Sequence, residues 1–224
     1  MSKLPTIVMS LLIGSALSAE TRWGRCPIPP AMYEFEMNKF EGVWYLQETF
    51  DPGERCATWT ITKGTESNTW KVVESKESGA LSALGFRHAD FHTGTITMMD
   101  HKNQGDLRVF WPISALGGDS SLIVYDTDYE NYAGVFECQN LGFFHRRNGI
   151  ILARKPIMDN MYKNRARLYS EEIKADHYHR VRQGGKNCMY KYEYVPRNET
   201  NGNHYDEYSG DDYYEDSWDY EPAH

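Results

Sequence analysis

At 224 residues with a formal charge of −8, the chain is long enough for one large or two small domains and carries no basic excess. The acidity is local: from Asn198 onward there are nine acids and no Lys or Arg, which leaves 23 acids against 24 basic residues elsewhere. A near-neutral body without a basic stripe excludes nucleic acid as a partner.

The first element is a targeting segment. "MSKLPTIVMSLLIGSALSA" has one Lys, an apolar stretch and then small residues at Ala16, Ser18 and Ala19. That is the layout of a secretory signal peptide cleaved near residue 18 or 19. It is too short to span a bilayer, and no other stretch is long and apolar enough. We therefore expect residues 1–19 to be removed, leaving an exported, extracellular chain. Its four cysteines, Cys26, Cys56, Cys138 and Cys188, form no C-x-x-C pair. In an oxidising compartment that even count implies two disulfides rather than zinc or redox chemistry. Three connectivities are open at this point, and each would tie distant parts of one domain together.

Between Gly42 and Arg154 the chain reads as short strands. "VWYLQETF", "CATWTIT", "WKVVES", "GTITMMD", "LRVFWP", "SLIVYD", "YAGVFEC" and "GIILAR" are rich in β-branched and aromatic residues. Turn signals such as "DPG", "TKG", "NQGD", "GGD" and "RNG" separate many of them. Eight such strands with no helix between them point to an antiparallel meander, closed as a barrel or folded as a sandwich. The stretch "SKESGALSALGFRHADFHTG" is irregular and reads as a rim or lid. After Arg154 the period changes. Ile157, Met161, Arg165 and Leu168 recur at helical spacing, predicting one amphipathic helix over about 158–172 lying on the sheet. The domain runs over 20–196 and the tail over 197–224. The tail is too polar to bury a core and reads as disordered. Its Tyr205, Tyr208, Tyr213, Tyr214 and Tyr220 lie among acids, a setting for sulfation and for docking a basic protein partner. A purely solubilising tail fits the same composition. Asn198-Glu199-Thr200 is a glycosylation sequon at the junction.

Three separated motifs now converge. "FEMNKFEGVWY" at 35–45 holds a G-x-W at Gly42, Val43 and Trp44. "TDYENYA" at 127–133 opens with Thr127, Asp128 and Tyr129, and "ILAR" ends with Arg154 just before the helix. Together they resemble the three signatures of the lipocalin family. The "CP.PP" start at Cys26 and the "RC" at Cys56 resemble its apolipoprotein D, lazarillo and insect bilin-binding branch, over about residues 26–190. The resemblance implies an all-β fold: an eight-stranded antiparallel up-and-down barrel with one C-terminal α-helix outside. It also implies the pairings Cys26–Cys138 and Cys56–Cys188, and a closed barrel end where Arg154 covers Trp44 beside the "TDYENYA" turn. Gly42, Trp44, Thr127, Asp128, Tyr129 and Arg154 are then structural.

If the barrel is a calyx, ligand contacts come from inward side chains, which recur at every second position. Parity assigns Trp59, Ile61, Leu107, Val109, Trp111, Leu122, Val124, Phe136, Ile150 and Leu152 to the lining, with Glu137 outward. Ile150 departs from the aromatic residue expected in that branch and alters the pocket shape. The lining suits a lipophilic ligand, a lipid or bilin for instance, with no resident cofactor. His88 and His92, and His177 and His179, have spacings compatible with a metal but no evident third ligand, so no metal is expected. The sequence lacks G-x-S-x-G and H-E-x-x-H, and we expect no enzyme. The functional expectation is a secreted carrier of a small hydrophobic ligand (fatty acid, sterol, retinoid or bilin). The alternative is an extracellular interaction module acting through its acidic, Tyr-rich tail and loops.

Overall fold

The computed structural model describes residues 20–77, 88–99, 105–112, 118–169, 173, 178–183 and 188. The signal segment, the core of the proposed rim (78–87), His177 and the sequon at Asn198 lie outside these residues, as does all of the second unit, Val195–His224.

Eight strands form the barrel wall: β2 (Gly42–Thr49), β3 (Thr58–Lys63), β4 (Thr69–Glu77), β5 (Ala89–Met98), β6 (Asp106–Phe110), β7 (Ser120–Thr127), β8 (Tyr132–Leu141) and β9 (Phe144–Ala153). Each pairs antiparallel with the next, and β9 returns to β2, with Leu46 opposite Leu152 and Thr49 opposite Ile150. That closing pair decides for a barrel over a sandwich and leaves the wall without a free edge. Two short strands extend it. β1 (Glu20–Trp23) runs along the Phe144–Arg147 end of β9, and β10 (His179–Arg180) along the Glu48–Thr49 end of β2.

Strand ends differ from the sequence reading. β5 begins at Ala89, so the second half of the proposed rim is wall, where Glu77, Ser75 and Glu74 pair with Ala89, Phe91 and His92. β9 begins at Phe144, ahead of the predicted "GIILAR", because its polar first half pairs with the extension of β8. Apolar runs mark only the part of each strand that faces an apolar core.

The helix is also corrected. It is α2 (Asn160–Ala166), following the four-residue α1 (Met37–Phe40), and a 3-10 turn at Arg167–Tyr169 continues it. The Asp159 carboxylate accepts from the Met161 backbone N–H at 2.8 Å, which fixes the start. The predicted buried stripe is the exposed one: Ile157, Met161 and Leu168 are 73%, 63% and 73% exposed. Met158 and Ala166 instead pack with Tyr162 against Tyr132, Ile151 and Ala153 on the outer faces of β8 and β9. Ala166 has no bulk and lets the helix approach closely. Arg165 points out and pairs with Asp126.

Cys26 is bonded to Cys138 and Cys56 to Cys188. The first ties the N-terminal segment to β8, and the second ties the β2–β3 connection to the segment after β10.

Candidate ligand-binding site

The closed end is built around Trp44, which is fully buried and donates its indole N–H to the Phe40 carbonyl at 2.8 Å. The Arg154 guanidinium stacks 3.7 Å above the Trp44 ring. It donates to the carbonyls of Tyr129 (2.9 Å), Val43 (3.1 Å) and Lys39 (3.0 Å), joining the β7–β8 turn, β2 and α1. Gly42 has φ of +102°, and a Cβ there would sit 3.1 Å from an Arg154 guanidinium nitrogen, so the glycine leaves room for the plug. In the "TDYENYA" turn, Asp128 Oδ1 accepts from the backbone N–H groups of Glu130, Asn131 and Tyr132, while Thr127 Oγ1 accepts from Tyr129 N and donates to Tyr132 O. Burial works against the Asp128 charge, but these bonds and the one from the Asn131 side chain outweigh it and hold its carboxyl below the ordinary value. Phe35 stacks on Tyr129, whose hydroxyl accepts from Glu36 N at 2.9 Å.

Above this floor the interior is apolar. Nine of the ten residues assigned to the lining, Trp59, Ile61, Leu107, Val109, Trp111, Leu122, Val124, Ile150 and Leu152, fall in one buried cluster with Trp44, Leu46, Val72, Ile96, Ala133 and Val135. Phe136 does not. It lies on the outer face of β8 with Phe50, Tyr125, Cys138 and Ile173. Its neighbours Val135 and Glu137 face inward, opposite Val124 and Leu122. The parity error came from the rule that a charge on a half-buried strand points to water. In this wall both faces of β8 are covered, and the charge lies on the inner one.

That inner charge belongs to a polar tier which the sequence reading missed. Inward parity on β4 continues from Trp70 and Val72 to Glu74 and Lys76. Glu74 accepts from the Trp59 indole (3.2 Å), pairs with His92 Nδ1 (3.3 Å) and lies 3.5 Å from Lys76 Nζ, which also holds Glu54 at 2.8 Å. Burial works to raise the Glu74 pKa, but the His92 bond, the Lys76 charge and the Trp59 bond outweigh it and hold its carboxyl low. The bond to Glu74 pushes His92 up. Across the barrel Glu137 bonds Ser120 and Trp111, and burial raises its pKa despite the nearby Arg146. The Trp59 and Trp111 rings lie 6.2 Å apart between tier and floor. Gly94 makes room for the second, since a Cβ would meet the Trp111 ring at 2.7 Å. Asp51, 8% exposed, accepts from Asn148 Nδ2 at 3.3 Å, and burial with the Glu54 charge pushes it up to about 7. Among the described residues, no group of three His, Cys, Asp or Glu could hold a metal ion.

No family model matches the chain. It is 28% identical over 152 residues to bovine apolipoprotein D (Bos taurus), covering 66% of this chain and 75% of that one. It is 29% identical over 158 residues to apolipoprotein D of Macaca fascicularis, covering 64% and 73%. The chain is homologous to apolipoprotein D and has the lipocalin fold. Solved lipocalin structures share its fold at low identity. Insecticyanin from the tobacco hornworm Manduca sexta matches with a TM-score of 0.58 at 16% identity, over 77% of this chain and 93% of that one. Lobster apocrustacyanin A1 matches with a TM-score of 0.55 at 16% identity, over 72% and 92%. The barrel thus pairs a plugged, apolar floor with a charged upper tier.

Proposed function

We propose that the protein is a secreted carrier that holds one small hydrophobic molecule, of the fatty acid, sterol, retinoid or bilin class, inside the barrel. The observation that carries this reading is the segregation of the interior, with a continuous apolar lining from Trp44 up to Trp59 and Trp111 and polar groups only above it. A barrel merely filled by its own side chains has no need of buried carboxylates at one end, because each costs several kcal/mol to desolvate. Covering about 300 Å² of ligand at ~25 cal/mol per Å² supplies roughly 7 kcal/mol before ordering costs. That corresponds to a Kd of about 10 μM at best. The homology to apolipoprotein D is consistent with binding rather than catalysis.

In the same reading, residues 1–19 are a signal peptide, 20–196 the carrier domain and 197–224 an appendage with a glycan at Asn198. No helix among the described residues is long and apolar enough to cross a membrane. The test is titration of delipidated protein with a polarity-sensitive lipid probe while following quenching of Trp59 and Trp111. Saturable one-to-one binding, displaced by unlabelled lipophilic competitors, is expected. Failure of every probe to saturate would sink the carrier.

A further inference from the structure

The upper tier holds more negative than positive charge. Asp51 and Glu54 come from the segment after β2, Glu74 from β4 and Glu137 from β8, with Asp90 beyond them on β5. Facing them are Lys76 on β4, Arg146 on β9 and His92 on β5. Lys76 is committed to Glu54 and Glu74, and His92 to Glu74. Asp51 is the least compensated. Its Oδ2 accepts one bond from Asn148, while its buried Oδ1 has no hydrogen-bond partner among the described residues. A buried carboxylate oxygen without a donor is costly, and here it lies among the very charges that stand above the apolar lining.

Resting on the carrier reading, we infer that this tier is a headgroup site selecting amphipathic ligands with a protonated amine, whose tail lies on the apolar floor and whose N–H donors satisfy Asp51 with Glu137 or Glu54. An alkylammonium supplies both missing things, donors for the orphan oxygen and a cation for the surplus negative charge. A free carboxylate supplies neither and adds repulsion, so of the hydrophobic ligands the carrier reading allows, fatty acids and bilins are the disfavoured ones. A neutral alcohol offers one donor and no charge. The site is pH-sensitive for a stated reason: below about pH 7 Asp51 holds its own proton, and a bound ammonium must displace it. Amine affinity therefore rises from acid to mildly alkaline pH, while that of the alcohol changes little. Nearby Glu54 and Glu137, both raised by burial, act in the same direction, and His92, raised by Glu74, acts in the same sense by losing its competing charge as pH rises.

The experiment is isothermal titration of delipidated full-length protein with dodecylamine, dodecanol and dodecanoate, below their aggregation limits, at pH 5.5 and pH 8. At pH 8 the amine is expected to bind at least about tenfold more tightly than the alcohol, as for a hydrogen bond to a charged group, and more tightly still than the acid. In Asp51→Asn, and separately in Glu137→Gln, the amine-to-alcohol affinity ratio should fall by several-fold at pH 8. If dodecanoate binds as well as the amine, the headgroup inference is overturned and the carrier stands. If the amine is preferred but its ratio survives in both variants, the inference is likewise overturned, since the selectivity then resides elsewhere. If none of the three saturates the protein, the carrier reading fails with it.

Discussion

Replacing Arg154 by Met removes the plug at the closed end while keeping a side chain that covers Trp44. The loss is countable. Three hydrogen bonds to the carbonyls of Tyr129, Val43 and Lys39 disappear, together with the cation 3.7 Å above the indole. Arg154 is half-buried, so each charged bond contributes about 1 kcal/mol rather than the full range for a desolvated group, and the cation–π contact about 0.5–1 kcal/mol more. The thioether recovers part of the stacking, leaving a net loss of about 3 kcal/mol. For a domain of this size that lowers the melting temperature by about 6–12 °C. Thermal and urea unfolding, followed by near-ultraviolet circular dichroism with disulfides intact, measures it. Arg154→Lys keeps the charge over Trp44 but cannot bond three divergent carbonyls, and should fall between the two. A loss below about 1 kcal/mol for Arg154→Met, or a Lys variant as damaged as the Met variant, would refute the account of a guanidinium joining three segments.

Asp128→Ala deprives three backbone N–H groups of their acceptor and should cost about 1–2 kcal/mol, as for a lost helix cap. Because the folded carboxyl is held below the usual 3.8, its contribution is present above that pH and is lost as pH falls further, so parent and variant should converge in acid. Asp51→Asn should act oppositely. With Asp51 at about 7 in the folded protein against 3.8 unfolded, the folded state binds the extra proton and stability declines as pH rises between those values. The Asn variant should therefore be more stable than the parent at pH 8, by about 1–3 kcal/mol, and no more stable near pH 4. Paired replacement of Cys56 and Cys188 by Ser opens a loop with a sequence separation of 132, and should cost up to about 5 kcal/mol by chain entropy in reversible denaturation.

The barrel was legible because its lower half obeys one rule: apolar residues at alternate positions, facing one shared core. Ile61, Val109, Val124 and Leu152 follow that rule and lie where parity puts them. The plug was legible through the resemblance carried by Gly42, Trp44, Asp128 and Arg154. The upper tier was not, because it breaks the assumption behind patterning. Glu74 and Glu137 are inward charges held by Trp59, His92, Trp111 and Ser120, partners that come from other strands and have no local signature. Phe136 was misplaced for the same reason, since a covered outer face lets an aromatic residue lie outside the barrel without meeting water. The helix face failed on small residues. Ala166 is the buried anchor, yet hydrophobic periodicity weights Ile157, Met161 and Leu168, which the α2 start at Asn160 turns to solvent.

The carrier claim is tested most directly by native mass spectrometry of protein secreted with its own signal and purified without detergent. The account predicts a bound species of roughly 200–600 Da, the size such a site holds, lost on extraction with organic solvent and regained on titration with lipophilic probes. A protein that emerges at its bare chain mass and then refuses every probe would contradict it.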